Sequence, residues 1–594
     1  MFQSFDVTAR PEQGPPRLAA LRAELEKDGY DGFLVPRADA HQGEYVAPRD
    51  ERLSWLTGFT GSAGFCAALR HSAGVFIDGR YRTQVKRQVA DVYTPVPWPE
   101  VSLGEWLVQQ LPEGGTIAYD PWLHASREIR ELTARLEGTA IRLTESDNLL
   151  DRIWTDQPAP PMNPVTPHPE DFAGESAAAK IDRLAATLRG AGQSAAVITL
   201  PDSIMWLLNL RGSDIPRNPV AHGFAILHGD ARVDLFMAAH KLRGISLPEQ
   251  VTLHDPERLV PCVAALTGQV AVDEASLPQA LANLLTGRMA PTGDPCALPK
   301  ARKTKAEIAG SAAAHLRDGA AVVETLAWLD AQPAGSIREI DVVKTLEGFR
   351  AADPALRDIS FETISGTGAN GAIIHYRVTE ESNATLEDRD LLVLDSGGQY
   401  LDGTTDITRT IAIGTPGQQE AEAFTRVLQG MIAMSRLRWP AGRSGRDIEA
   451  IGRLPLWMAG QDFNHGLGHG VGAYLSVHEG PQGLSRANPV PLETGMILSN
   501  EPGYYREGAF GIRIENLLVV EDAPALDTAD PDRKMHAWRT LTFAPIDRRL
   551  VVPGMLSAGE RDWLNSYHAE VFHKIAPRLS ASASKWLEAA CAPL

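Results

Sequence analysis

Two acids bracket a short apolar run in Asp390-Leu-Leu-Val-Leu-Asp395-Ser-Gly-Gly, and a second acidic segment, Asp402-Gly-Thr-Thr-Asp406, follows it closely. The first run reads as a buried strand, and residues 407–413 alternate apolar and polar as a half-buried strand does. A hairpin through Gly397, Gly398 and Gly403 would bring Asp395 and Asp406 side by side. Carboxylates held that close repel each other unless they share a proton or a cation. Turn chemistry is the competing explanation, because Asp is common beside Gly.

A second cluster is the stretch Asn464-His465-Gly-Leu-Gly-His469-Gly-Val-Gly472, followed by Val477-His478-Glu-Gly-Pro481. It packs three histidines into 14 positions of a chain with 16 histidines in 594 residues. Four glycines in seven residues deny it a stable helix. They suit a backbone that passes close to something else. Further on, Gly495-Met-Ile-Leu-Ser-Asn-Glu501-Pro-Gly reads as a strand ending in an acid. In Phe510-Gly-Ile-Arg513-Ile-Glu515-Asn the alternation puts Arg513 and Glu515 on one strand face. A buried Glu515 needs a partner, and Arg513 is the candidate its own strand offers.

Four carboxylates with one or more imidazoles suit Mn²⁺, or else Zn²⁺ or Co²⁺, better than copper or a thiolate-seeking ion. Four acids exceed what one divalent ion needs, so two ions bridged by carboxylates are expected. Such a pair lowers the pKa of a bridging water and holds the oxyanion of a tetrahedral intermediate.

The elements that must position these groups read as α/β throughout. The amino-terminal half holds two similar passages. A helical run at Leu18-Ala-Ala-Leu21 precedes an apolar strand at Gly32-Phe-Leu-Val35, then Trp55-Leu-Thr-Gly58 and Gly64-Phe-Cys-Ala-Ala-Leu69. The order returns in Leu184-Ala-Ala-Thr-Leu188, Ala195-Ala-Val-Ile-Thr-Leu200, Trp206-Leu-Leu-Asn-Leu210 and His222-Gly-Phe-Ala-Ile-Leu227. Asp156-Gln-Pro-Ala-Pro-Pro-Met-Asn-Pro164 reads as an extended linker, and the basic stretch Leu298-Pro-Lys-Ala-Arg-Lys-Thr-Lys305 as a second break before a helix over 307–332. The expected domains are therefore 1–158, 159–303 and a catalytic domain at 304–594.

The formal net charge of −18 disfavours nucleic acid and anionic membranes as partners. No run of about 18 apolar residues predicts a membrane span. The first residues lack the pattern of a secretory or transit signal. Cys66, Cys262, Cys296 and Cys591 have no paired spacing, which predicts reduced thiols in a cytoplasmic protein.

The segments LLVLDSGGQYLDGTTDITRT, HGLGHGVG, VHEGP, NEPGYY and GIRIEN together resemble, in the same order, the metal-dependent aminopeptidase P family of the pita-bread fold. The similarity extends through Asn370-Gly-Ala-Ile-Ile-His375-Tyr, Trp563-Leu-Asn-Ser-Tyr-His568, Asp39-Ala-His-Gln-Gly-Glu-Tyr, Gly58-Phe-Thr-Gly-Ser-Ala-Gly64 and Leu210-Arg-Gly-Ser-Asp214. It covers nearly the whole chain and looks like the long, three-domain form. The resemblance implies two creatinase-like α/β domains followed by a pita-bread catalytic domain with a curved, mainly antiparallel sheet. It implies an enzyme that hydrolyses the first peptide bond of peptides with proline second. Asp395, Asp406, His469, Glu501 and Glu515 would hold two metal ions. Asp406 and Glu515 would bridge them, and Glu501 would also move protons. His375, His465 and His478 would bind substrate and stabilise the transition state, with Arg513 orienting Glu515 or other site groups. A homodimer is implied as well. Retention of all five ligands opposes a non-catalytic member of the fold, and the length opposes the shorter dipeptidases. Two departures stand out. Leu467 replaces a usual threonine and Asn500 a usual aspartate, which predicts altered support around the ligands without loss of activity.

Overall fold

The computed structural model describes every residue except Met1 and Pro531. The chain forms two compact units, one from Thr8–Glu170 and Glu175–Ala297, the other from Met1–Val7, Asp171–Gly174 and Leu298–Leu594.

The first unit contains two six-stranded sheets of one topology. In the first sheet the order is Thr94–Pro97, Ala73–Ile77, Phe65–Leu69, Gly32–Pro36, Gly115–Tyr119, Ile141–Glu145. In the second it is Val251–His254, Val233–Phe236, Phe224–His228, Gln193–Ile198, Gln269–Ala271, Met289–Ala290. Each central strand pairs antiparallel on one side and parallel on the other. The similarity seen in sequence is therefore a repeated architecture. Helix Gly14–Asp28 buries Leu18, Leu21 and Leu25 at helical spacing and ends at Gly29 with φ +75°. Its counterpart Ala177–Gly190 starts from a Ser176 cap. Residues 157–165 between the two copies contain neither helix nor strand.

The second unit opens with the helix Lys305–Asp330, set by a capping box of Thr304 and Glu307. The helix matches the expected one to within two residues at each end. The basic stretch ahead of it starts where the two units divide, between Ala297 and Leu298. Lys300 and Lys303 are buried and both pair with the buried carboxylate of Glu479. The expected single curved sheet is divided into several, and every strand pair in them is antiparallel. Ile364–Thr367, Leu391–Ser396 and Ile407–Ala412 form one sheet. A six-stranded sheet runs Arg438–Pro440, Met535–Thr540, Asn516–Asp522, Ile497–Asn500, Gly468–Gly470, Glu479–Leu484. Helices Gln418–Ser435, Gly445–Trp457 and Ala558–Ile575 contribute Phe424, Leu428, Leu456, Leu564 and Val571 to a large apolar core with Leu392, Leu394 and Leu498. No described helix is long and apolar enough to cross a membrane. All four cysteines are free thiols, with Cys262 half-buried and the other three buried.

Candidate metal centre

The acids arrive on neighbouring strands. Leu391–Ser396 pairs antiparallel with Ile407–Ala412, so Asp395 lies opposite Thr408, with Asp406 just ahead of that strand. Glu515 sits in a two-residue break between Phe510–Arg513 and Asn516–Asp522, and its amide donates to Thr408 O at 3.1 Å. Ligand atoms of Asp395, Asp406 and Glu515 lie within 4.8 Å of one another. So do those of His469, Glu501 and Glu515, and those of Asp406, His469 and His478.

The glycines explain how His469 gets there. Its strand Gly468–Gly470 is squeezed between Glu479–Leu484 and Ile497–Asn500. A Cβ on Gly468 would lie 2.0 Å from Ser499 O, and one on Gly470 would lie 2.2 Å from Glu479 O. His469 Nδ1 donates to Gly470 O at 3.0 Å. That bond fixes the tautomer in which Nε2 carries a lone pair. Nε2 faces Asp406 at 3.5 Å and Glu501 at 3.4 Å.

The acids repel one another in a dry site. Burial raises the Asp406 carboxyl well above the ordinary range, and Asp395 and Glu501 raise it further. Glu515 is likewise pushed well up by burial, then by Asp406. Glu501 is raised by burial against the opposing pull of His469. Asp395 Oδ1 and Glu515 Oε1 are buried and accept no hydrogen bond. Mutual repulsion and unsatisfied buried oxygens are what divalent cations would relieve. The oxygen-rich donor set with one imidazole fits Mn²⁺, Zn²⁺ or Co²⁺.

Of the partners open to it, Arg513 meets a site group other than the one read onto its own strand. It does not pair with Glu515. Its Nη2 donates to Asp395 Oδ2 at 2.6 Å and its Nη1 to the Tyr505 hydroxyl at 2.6 Å. Glu515 instead receives the Thr408 hydroxyl at 2.9 Å. The break after Arg513 is the reason: the strand before it pairs with Gly503–Arg506 and the strand after it with Ile497–Asn500. Alternation along one continuous strand therefore does not apply.

Tyr505 carries the chain onward. Its hydroxyl donates to His465 Nε2 at 3.0 Å while His465 Nδ1 donates to Gly466 O at 2.7 Å. One continuous path thus joins Asp395 to His465. His478 packs edge-on against His469, with ring centroids 4.3 Å apart. His375 follows Ile374, whose carbonyl accepts from Arg513 Nη1 at 3.3 Å.

Sequence reasoning missed Tyr505, Thr408 and Ser499. The Ser499 hydroxyl donates to Glu501 Oε1 at 3.1 Å and accepts the His469 amide at 2.9 Å. All three lie two to four residues along the chain from Asp406 or Glu501. The two departures face elsewhere. Leu467 is in the apolar core, and the Asn500 amide donates to Met431 O at 3.0 Å and Ser435 Oγ at 3.1 Å. The expected change in support around the ligands therefore lies on the far side of the strand.

Residues 309–522 match the model of metallopeptidase family M24, and residues 534–594 match its C-terminal region. Residues 17–153 and 156–307 each match a creatinase/prolidase N-terminal domain. Aminopeptidase P2 of Arabidopsis thaliana is 39% identical over 96% of this chain and 87% of its own length. The chain belongs to the aminopeptidase P family of M24 metallopeptidases. Aminopeptidase P1 of Arabidopsis thaliana is 36% identical over 97% of this chain and 99% of its own. Among solved structures, the X-prolyl aminopeptidase of Caenorhabditis elegans superposes with a TM-score of 0.93 at 30% identity. That match covers 98% of this chain and 100% of that one, which is described as a cytosolic enzyme with a di-nuclear active site. Within the aminopeptidase P family this chain is a metallopeptidase with two creatinase-type domains ahead of its catalytic domain.

Proposed function

We propose that this chain is a dinuclear aminopeptidase that removes the first residue from peptides with proline in second position. The observation that carries the proposal is the overlap of the donor groups: Asp406, Glu515 and His469 each belong to two of the three, and with His469 Nδ1 tied to Gly470 O only the two carboxylates keep two donor atoms with which to span two ions. That supports Asp406 and Glu515 as bridging ligands, Asp395 completing one ion, and His469 with Glu501 completing the other. Two divalent ions, Mn²⁺ with Zn²⁺ or Co²⁺ as alternatives, would supply an acidified water and charge stabilisation for the oxyanion.

The protein's own groups do the rest. Glu501 takes the proton of the attacking water and returns it to the leaving nitrogen. That nitrogen is a tertiary amide with no N–H of its own, so recognition falls to groups around the carbonyl and the ring. His375, His465 and His478 supply them. The path through Tyr505 and Arg513 fixes the His465 tautomer. Arg513 holds Asp395 in place, and both its pairing and its burial support a positioning role.

The charge of −18 and the absence of a spanning helix among the described residues are consistent with a cytoplasmic enzyme acting on free peptides. Leu454, Trp457 and Met458 are exposed together at the end of one helix, Met458 by 81%. An apolar cluster of that kind supports a homodimer. Light scattering should give twice the chain mass, and Leu454→Glu with Met458→Glu should shift the value toward one.

The direct test compares Arg-Pro-Pro and Ala-Pro peptides with alanine-second controls, with and without Mn²⁺. Cleavage confined to the proline series, and abolished by chelator and by Asp406→Asn, is the expected result. Equal cleavage of both series, or none in a metal-loaded sample, removes the proline assignment.

A further inference from the structure

Residues 2–6 belong to the same compact unit as the metal centre, although their partners lie more than 340 positions away. The Phe2 and Gln3 amides donate to the two oxygens of Glu347 at 2.9 and 2.8 Å. The Gln3 side chain makes a reciprocal pair with Thr363, donating to its carbonyl at 3.2 Å and accepting its amide at 2.8 Å. Phe5 O accepts the Glu380 amide at 2.9 Å. Arg377 donates to Asp6 O at 2.8 Å and Ser4 O at 3.0 Å. Phe5 is 8% exposed and packs with Ile340, Val343, Ile364, Ile373, Tyr376 and Val378.

Ile373, Tyr376 and Val378 flank His375, and residues 373–379 contain neither helix nor strand. No ladder of backbone bonds holds this stretch, so its position depends on side chains and neighbouring segments. Glu339 secures it from within, accepting Tyr376 OH at 2.8 Å, Asn370 Nδ2 at 3.1 Å and the Thr367 amide at 2.8 Å. Arg513 Nη1 reaches it at Ile374 O, and residues 2–6 add the bonds and the Phe5 packing described above.

We infer that Gln3 and Phe5 are positioning residues for His375, with residues 2–6 acting as a strap on the loop that carries it. The inference rests on the role given to His375 above, but its structural half stands by itself. A strap that is lost lets the loop shift while the five metal ligands, which lie on or directly beside other strands, stay in place. Misplacing a positioned group by about 1 Å lowers turnover by on the order of 10- to 100-fold.

The test uses the full metal-loaded chain in wild-type, Phe5→Ala, Phe5→Leu and Gln3→Ala forms. Hydrogen exchange by mass spectrometry should quicken in residues 364–379 of Phe5→Ala and Gln3→Ala, with Leu391–Ser396 unchanged and two metals retained. Turnover of X-Pro peptides should fall in Phe5→Ala and recover largely in Phe5→Leu. In a His375→Ala background, Phe5→Ala should cost nothing further, because the two changes act through one group. Unaltered exchange in 364–379 overturns the strap, and a full additional loss in the His375→Ala background overturns its link to His375. Should wild type cleave no X-Pro peptide, the proposed function falls and the exchange result alone decides the strap. If Phe5→Ala does not fold, Gln3→Ala carries both readouts.

Discussion

At the residue scale, the centre is legible where a side chain's type is itself the chemistry. Acids and imidazoles announce a metal site, and the structure gathers Asp395, Asp406, His469, Glu501 and Glu515 as their motifs suggest. Hydroxyl partners such as Thr408 and Tyr505 announce nothing, because their function depends on which atoms the fold brings near. Arg513 shows the opposite case, a visible residue whose candidate partner came from counting faces along an unbroken strand. Its actual contacts predict the outcome of Arg513→Met. Asp395 would keep a buried oxygen with no donor, so metal affinity should fall about 10- to 100-fold, read by titration of the metal-free protein. Asn500→Asp, which restores the residue common in the family, should instead destabilise. A carboxylate cannot donate to Met431 O, and leaving that contact unmade costs about 1–3 kcal/mol. Denaturant unfolding would show it, with turnover per folded molecule unchanged.

At the scale of elements, periodicity and caps carry most of the information. The Thr304–Glu307 box fixes the start of the long helix, and the helix–strand order of the two copies was readable before any sheet was seen. Sheet division was not readable, since strand partners are chosen by packing across the sheet and not by a strand's own residues. Glycine spacing gave a close approach without saying to what. The answer, Ser499 O against Gly468, makes a prediction. Gly468→Ala forces a Cβ into the strand that ends at Glu501 and should lower metal occupancy, measured by elemental analysis, without removing a ligand. The helix Ala558–Ile575 yields a second. His568 Nε2 accepts the Ile546 amide at 3.1 Å, and burial lowers the ring's pKa to about 3 from 6.5. The unfolded chain takes up that proton first as pH falls. The histidine's contribution to stability is therefore complete above about pH 6.5 and lost progressively toward about pH 3. A pH series of melting temperatures on wild type and His568→Gln should differ in slope only in that window.

For the whole molecule, the metal centre sets how stability responds to pH. Without metal, Asp406, Glu501 and Glu515 have raised pKa values, so the folded state holds protons that the unfolded chain has released. Stability of the metal-free protein should then fall as pH rises above the ordinary carboxylate value of about 4. Added Mn²⁺ should restore the loss at neutral pH, and calorimetry of both forms between acid and neutral pH checks the crossing. Duplication of the amino-terminal sheets was visible in sequence because both copies keep their element order. Residues 2–6 were not, because five polar and apolar residues with no periodicity reveal no partner.

That short segment also orders events during synthesis. It is made before its partners, and Glu347, Thr363, Arg377 and Glu380 follow more than 340 residues later. At about 5–20 residues per second the delay is roughly 20–70 s. The amino-terminal unit is finished within that interval, once Ala297 has been made, and throughout it the segment ahead of that unit hangs unpaired. The two ends of the story meet only when nearly two thirds of the chain has been made. A nascent chain stalled before that point would expose Phe5 to whatever binds apolar ends in the cell.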